Sequence, residues 1–233
     1  MRVLAIFAHP DDESYGPAGT LARAIRDGHT VALLTLTHGE SASLGISGQM
    51  SEQELAQRRS LELKTAARQI GIQQLNQLNL ADRKLQYIPD QEGVAIILQE
   101  INRFNPDLII TYHENTISGH PDHLAVTNWV SRAVRSMNNP PRLFLYGLDQ
   151  AQTALVYFEK LFAISGNEIT HKINVKDCLN VKTAAICCHK TQLTLWNKLE
   201  ENGIDLNALF RQEIFVQRWP VPEGRKIKYD LFA

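Results

Sequence analysis

Cysteine is scarce in this 233-residue chain: Cys178, Cys187 and Cys188 are its only thiols, and no CxxC spacing occurs. An odd count, with two adjacent, defines no disulfide framework and predicts a reducing, cytoplasmic setting. Charge of one sign is scarce as well. Basic residues number 24 against 25 acidic ones, the formal net charge is -1, and no dense basic run exists. The electrostatic footprint of a nucleic-acid or anionic-lipid partner is therefore missing. No apolar stretch approaches the roughly 18 residues that cross a bilayer, and the opening MRVLAIFA meets acids too early for a signal-peptide core. No membrane anchor is expected. Repeats, low-complexity tracts and Ser/Pro-rich linkers are also absent, so one unit is expected over residues 1–233, a core (1–150) with an extension (151–233) packed on it. Composition leaves open whether copies form a homo-oligomer.

Short apolar runs alternate with helical patterns. Val3–Phe7, Val31–Leu36 and Leu108–Thr111 are strand-length and largely β-branched, as in a parallel sheet buried on both faces. Leu21–Ile25 reads as helix stopping at Gly28; Ser51-x-x-Glu54 is a capping box opening a helix that stops at Gly71. Val94–Phe104 stops at Asn105-Pro106, and another helix starts near Pro121 and ends at Asn138-Asn139-Pro140. Strand-helix-strand order with right-handed crossovers predicts an α/β, Rossmann-like, doubly wound, mostly parallel sheet with helices on both faces. Further on, Leu155–Ile164 and Ile169–Val175 are expected to form a hairpin before a helix over 176–189.

The first strand ends in AHPDDE, residues 8–13, with one histidine and three carboxylates in five positions. Such carboxylates repel unless a proton, a cation or bulk water holds them. Open α/β sheets keep their sites at the carboxyl ends of strands, and a second cluster, GHPDH at 119–123, follows Leu108–Thr111 at the equivalent edge. Pro10 biases His9 toward an extended conformation, while Pro121 puts His120 at a helix cap and His123 in the first turn. Converging clusters would offer His9, Asp12 and His123 as the mix of imidazole and carboxylate that zinc accepts, leaving a fourth position for water. The plainer reading makes the acids helix caps and the histidines surface groups. Two clusters of the same His-Pro-Asp form, both at strand ends, argue against it.

Arg59 falls in the apolar stripe of its helix, among Leu55, Leu63, Ala66 and Ile70. An inward arginine needs a partner: Glu62 one turn on, a site carboxylate, or substrate. Asp82, in NLADRKL, reads as a turn residue or a substrate contact, and Glu40 as a loop cap or a support of the site. His189 shares a helical face with Cys178, Lys182 and Ala185 and is expected to meet the helix dipole at the edge of the core. Its neighbour Cys188 points about 100 degrees away, which disfavours a thiol–imidazole dyad.

AHPDDE with a later GHPDH resembles the LmbE-like, or PIG-L-like, deacetylases, zinc enzymes that remove the N-acetyl group from N-acetylglucosamine-containing conjugates. The resemblance runs on through Thr37-x-Gly39-Glu40, Arg59-x-x-Glu62, Asp82, Pro106-Asp107 and KTAAICCHKTQ at 182–192. It implies His9, Asp12 and His123 as ligands of Zn2+, with Fe2+ as the alternative ion, and Asp11 as general base. It further implies that His120 steadies the tetrahedral intermediate or protonates the leaving amine. Arg59 and Asp82 would contact a small sugar-amide substrate, and Asp122 and Glu40 would support the site. For His120 to act as an acid, Asp122 and its neighbours are expected to raise its pKa. Members acting on mycothiol precursors carry a tyrosine where this chain has Ser118, which argues against that substrate. Two other classes use similar residues. A non-haem Fe(II) oxygenase also takes two histidines and one carboxylate but leaves Asp11 without a task. A phospho-accepting receiver module pairs acids after its first strand but has no use for His9 or His123.

Overall fold

A computed structural model of the chain describes residues 1–44, 49–224 and 226–232. Seven strands form a single sheet: β1 (Arg2–Phe7), β2 (Thr30–Thr37), β3 (Gln74–Leu80), β4 (Leu108–Tyr112), β5 (Arg142–Gly147), β6 (His171–Asn174) and β7 (Gln212–Trp219). Their spatial order is β3-β2-β1-β4-β5-β7-β6. The first five run parallel, with β1 in register against β2 from Arg2↔Thr30 to Phe7↔Thr35 and against β4 from Val3↔Leu108 to Ala5↔Ile110. β7 pairs antiparallel with both β5 and β6. Val3 to Phe7, Val31 to Leu34 and Leu108 to Ile110 are fully buried, so central strands read as unbroken apolar runs.

Helices α2 (Ala18–Arg26) and α3 (Glu52–Ile70) contact each other and α7 (Leu179–Cys188), whereas α4 (Asp90–Phe104) packs with α5 (Pro121–Ser136). Right-handed crossovers require those two groups on opposite faces once the strand order reverses at β1. The α3 capping box forms, Ser51 and Glu54 bonding each other's backbone, and Gly71 closes the helix at φ 94. At Gly93 an added Cβ would collide with the Trp129 indole, so this glycine sets the close approach of α4 to α5. Reversal at β1 leaves a crevice beyond the carboxyl ends of β1 and β4, where both histidine clusters emerge.

The expected hairpin does not form. Its first segment overlaps α6 (Gln150–Leu155) and then irregular chain in which Ala163 makes a bridge to Leu148, and its second becomes β6 against the distant β7. Val156 and Leu161 instead join a second apolar cluster with α8 (Thr194–Glu201) and α9 (Leu206–Phe210). Residues 176–178 form a single 3-10 turn ahead of α7. Near it lies a fully buried ion pair: Lys182 Nζ is 2.7 Å from Glu213 Oε1, and that carboxylate also accepts from the backbone N–H of Gly19 and Thr20.

Candidate active site

Beyond β1 the chain turns at Pro10, and Asp11 precedes the short helix α1 (Asp12–Tyr15). Asp11 sits at φ 108, ψ -25, a conformation a non-glycine residue adopts only when its surroundings impose it. Two partners impose it here. Arg59 Nη2 lies 3.2 Å from Asp11 Oδ2 and donates to the Pro10 carbonyl, while Nη1 donates to Gly39 O at 2.8 Å. Gly39 has to be glycine, because a Cβ there would overlap the guanidinium. From the other side the Asp11 N–H donates to Glu13 Oε2 at 3.1 Å. Glu13 is itself fixed by His189 Nε2 at 2.7 Å and by the Ser14 hydroxyl at 2.6 Å.

One expectation changes accordingly, for His189, and of the partners open to Arg59 a site carboxylate is the one it meets. His189 is fully buried and bonds Glu13, the residue that holds Asp11; it does not merely meet a dipole at the core's edge. Nor does Arg59 pair with Glu62, which pairs with Arg58 and accepts from the backbone N–H and the hydroxyl of Thr191. Arg59 lines the site cavity with both Nη atoms committed to protein oxygens.

His9 and His123 meet across the crevice, Nδ1 of one 3.1 Å from Nε2 of the other. Asp12 closes a triangle with them. Its Oδ1 is 3.3 Å from His123 Nε2 and its Oδ2 is 3.6 Å from His9 Nδ1. Tetrahedral donors at zinc's usual bond length of about 2.0–2.1 Å would stand about 3.3 Å apart, so this spacing fits a single ion. The far nitrogen of His9 supports the same reading: Nε2 faces Asp82 Oδ1 at 3.1 Å and Asp122 Oδ2 at 3.3 Å, as a metal-bound imidazole does with its second N–H. His120 joins the two rings, its centroid 4.8 Å from that of His9 and 5.0 Å from that of His123. Among the described residues, His9, His120 and His123 form one group with ligand atoms within 4.8 Å of one another, and His9, Asp82 and Asp122 form another.

Neighbouring chain fixes these side chains. Tyr112, at the end of β4, donates to Asp12 Oδ2, accepts from the Ala8 N–H at 2.9 Å and stacks on His123 at 4.1 Å. Sequence reasoning missed it, since a tyrosine ending an apolar strand reads as core. Asp122 is fully buried and accepts from the backbone N–H of Arg83 at 2.7 Å and Leu85 at 3.1 Å. Asp82 accepts from the Ser41 N–H at 2.9 Å and donates its own N–H to Glu40 Oε1 at 2.8 Å. His120 caps α5: its Nδ1 accepts from the Asp122 N–H at 3.2 Å.

The electrostatics of the crevice call for positive charge. Burial opposes ionisation of Asp12, yet His123 and His9 hold its pKa well below the ordinary carboxylate range. Asp82 resists burial in the same way and is lowered to about 2, chiefly by its hydrogen bond to His9. For His9, burial favours the neutral ring, but bonds to Asp12, Asp122 and Asp82 raise its pKa well above the usual value. Asp11 differs from its neighbours: burial above all pushes it up to about 6, with Arg59 pulling down and Asp12 pushing up. His120 goes against expectation. Burial, then the charges of His9 and His123, lower it to about 4, and the carboxylates do not compensate. It is a neutral imidazole at physiological pH.

These groups line one cavity of about 440 Å³, within the range of small-molecule sites. A carboxylate poised near neutrality beside imidazoles and acids able to hold a cation is the equipment of a metal-assisted hydrolase. Residues 4–134 match the PIG-L family, described as GlcNAc-PI de-N-acetylase, and the chain belongs to that family. A probable N-acetyl-alpha-D-glucosaminyl L-malate deacetylase 2 of Bacillus subtilis is 29% identical over 223 residues, which cover 92% of this chain and 96% of that protein. Among solved structures, N,N'-diacetylchitobiose deacetylase from Pyrococcus horikoshii superposes with a TM-score of 0.73 at 21% identity, over 93% of this chain and 83% of the other. GalB, the 4-carboxy-2-hydroxymuconate hydratase of Pseudomonas putida, superposes at 0.71 with 17% identity, over 96% of this chain and 98% of its own. A hydratase on the same scaffold shows that the fold alone does not set the reaction. Among the described residues, no helix is long and apolar enough to cross a membrane.

Proposed function

We propose that this chain hydrolyses the N-acetyl amide of an N-acetylglucosamine-type conjugate, releasing acetate and a free amine, with His9, Asp12 and His123 holding a divalent metal ion. One observation carries the reading: Asp11, raised to about 6, lies beside the His9–Asp12–His123 triangle without belonging to it. When bound, a zinc ion would lower the pKa of a water from 15.7 toward about 7 and polarise the amide carbonyl. Zinc suits the nitrogen and oxygen donors, and Fe2+ takes the same set.

The chain's own residues supply the rest. Asp11 Oδ takes the proton of the attacking water as the C–O bond forms, and returns it to the leaving nitrogen as the C–N bond breaks. His120 works without a positive charge. With Nδ1 accepting from the Asp122 N–H, the neutral ring carries its proton on Nε2, where it donates to the oxygen that becomes anionic in the tetrahedral state. Arg59, Glu13 and His189 keep Asp11 in place, and Asp82, which lines the cavity beside His9, is the polar side chain offered to sugar hydroxyls. The relative from Bacillus subtilis, named for N-acetylglucosaminyl L-malate, supports the sugar amide as substrate class. The test is incubation of the metal-loaded protein with methyl and larger N-acetylglucosaminides. Acetate and amine should appear one to one and stop on chelation; their absence from the whole set would refute the assignment.

A further inference from the structure

We propose that the substrate carries an apolar chain that fills the apolar part of the cavity, an inference that rests on the amide-hydrolase reading and adds the class of conjugate. The cavity is continuous, but two parts of its lining differ in chemistry. Its charged lining, including Asp11, Asp12, Arg59, Asp82 and Arg83, comes from the chain that follows β1 and β3 and from α3. A second part of the lining is Val156, Leu161, Leu195, Leu199, Leu209 and Phe210, all members of one apolar cluster. Among the described lining residues from Tyr146 onward none is charged, and Tyr146, Gln192 and Thr194 supply the polar groups.

That wall is the inner face of an apolar cluster distinct from the sheet core, built around α8 and α9. Leucine and phenylalanine side chains bordering a void forgo the dispersion contacts they would make in a filled core, a cost a fold retains where a ligand fills the space. A dicarboxylate such as malate would find no cation in this wall, and the buried guanidinium of the cavity, Arg59, is committed to Asp11, Pro10 and Gly39. A polyol would leave its hydroxyls unpaired against leucines. An alkyl or aryl chain of several carbons suits the wall on both counts. It can arrive as the aglycone of the sugar or as a longer N-acyl group.

Two homologous series distinguish those sources: methyl, butyl and octyl N-acetylglucosaminides, and methyl glucosaminides bearing acetyl, butanoyl or octanoyl amides, all below micellar concentration. Amine release should show kcat/KM rising by up to about fourfold per methylene buried, and at least tenfold from methyl to butyl, in one series or the other. Leu199→Asn should pull the octyl-to-methyl ratio toward one; Leu161→Ser, at a less buried position, serves the same purpose if the first variant does not fold. Titration calorimetry with the octyl and methyl glycosides reads the same subsite without turnover. If no compound releases amine, the hydrolase reading falls, while octyl binding at least tenfold tighter than methyl still upholds the apolar subsite. Flat kcat/KM in both series with equal octyl and methyl affinities, or preference for N-acetylglucosaminyl malate over the octyl glycoside, would overturn it.

Discussion

Arg59→Met isolates the electrostatic part of the proposed chemistry. The guanidinium stands 3.2 Å from the Asp11 carboxylate and lowers its pKa. At that distance and an effective dielectric of about 20 the attraction is about 5 kcal/mol, or at most about 4 pK units. Water entering the vacated space raises the local dielectric and leaves about 2 units. A base must be deprotonated to act, so the acid limb of kcat/KM should move up, from a midpoint near 6 toward about 8. At pH 7 the ionised fraction falls from about nine-tenths to about one-tenth, a roughly tenfold loss that raising the pH recovers. A bound cation lowers both profiles alike, so the difference between them carries the test. The assay is kcat/KM for amine release from pH 5 to 9.5. Were the variant slower by a constant factor at every pH, Arg59 would act only by shaping the Pro10–Asp11 backbone.

Asp11→Asn should keep its metal, lose most turnover and make the metal-free protein more stable. A folded pKa of about 6 against 3.8 places a penalty of up to about 3 kcal/mol on the carboxylate, fully present above pH 6 and absent below 3.8. Urea unfolding at pH 7.5 and pH 5 should therefore show a gain that shrinks at the lower pH; an equal gain at both would contradict it. His120→Ala should cut turnover by about 10²–10³ with metal retained. Because the ring is neutral above about pH 4, the alkaline side of the profile should keep its shape, and a lost alkaline limb would show that His120 acts as a cation. Lys182→Met strips the buried Glu213 of its partner and should cost about 3–5 kcal/mol in urea unfolding, part of which Glu213→Gln restores in the double variant. A cost under about 1 kcal/mol would mean that water reaches the carboxylate.

The sequence exposes what local chemistry encodes. β1, β2 and β4 are visible because strands buried on both faces leave apolar runs, and α3 because its cap and its closing glycine are local signals. β3, reading QLNQLNL, is hidden by its edge position, where glutamine and asparagine replace the usual apolar residues. β7 stays hidden because its partners, β5 and β6, lie far back along the chain. The two His-Pro-Asp motifs mark the crevice because proline and the strand ends fix their direction. What surrounds them is invisible in the same letters: Glu13 with His189, Tyr112 with Asp12, and Asp122 with the Arg83 N–H are contacts made only by folding. His120 shows the same limit in electrostatics, since adjacent acids suggest a raised pKa while burial and two facing imidazoles lower it.

The most direct test of the central claim is parallel measurement of bound metal and acetate release for wild type and His123→Ala. One divalent ion per chain with turnover in the wild type, and loss of both in the variant, is the predicted result, because His123 Nε2 stands 3.1 Å from His9 Nδ1 and 3.3 Å from Asp12 Oδ1. Full metal content with undiminished acetate release from His123→Ala would place the ion, and the chemistry, elsewhere.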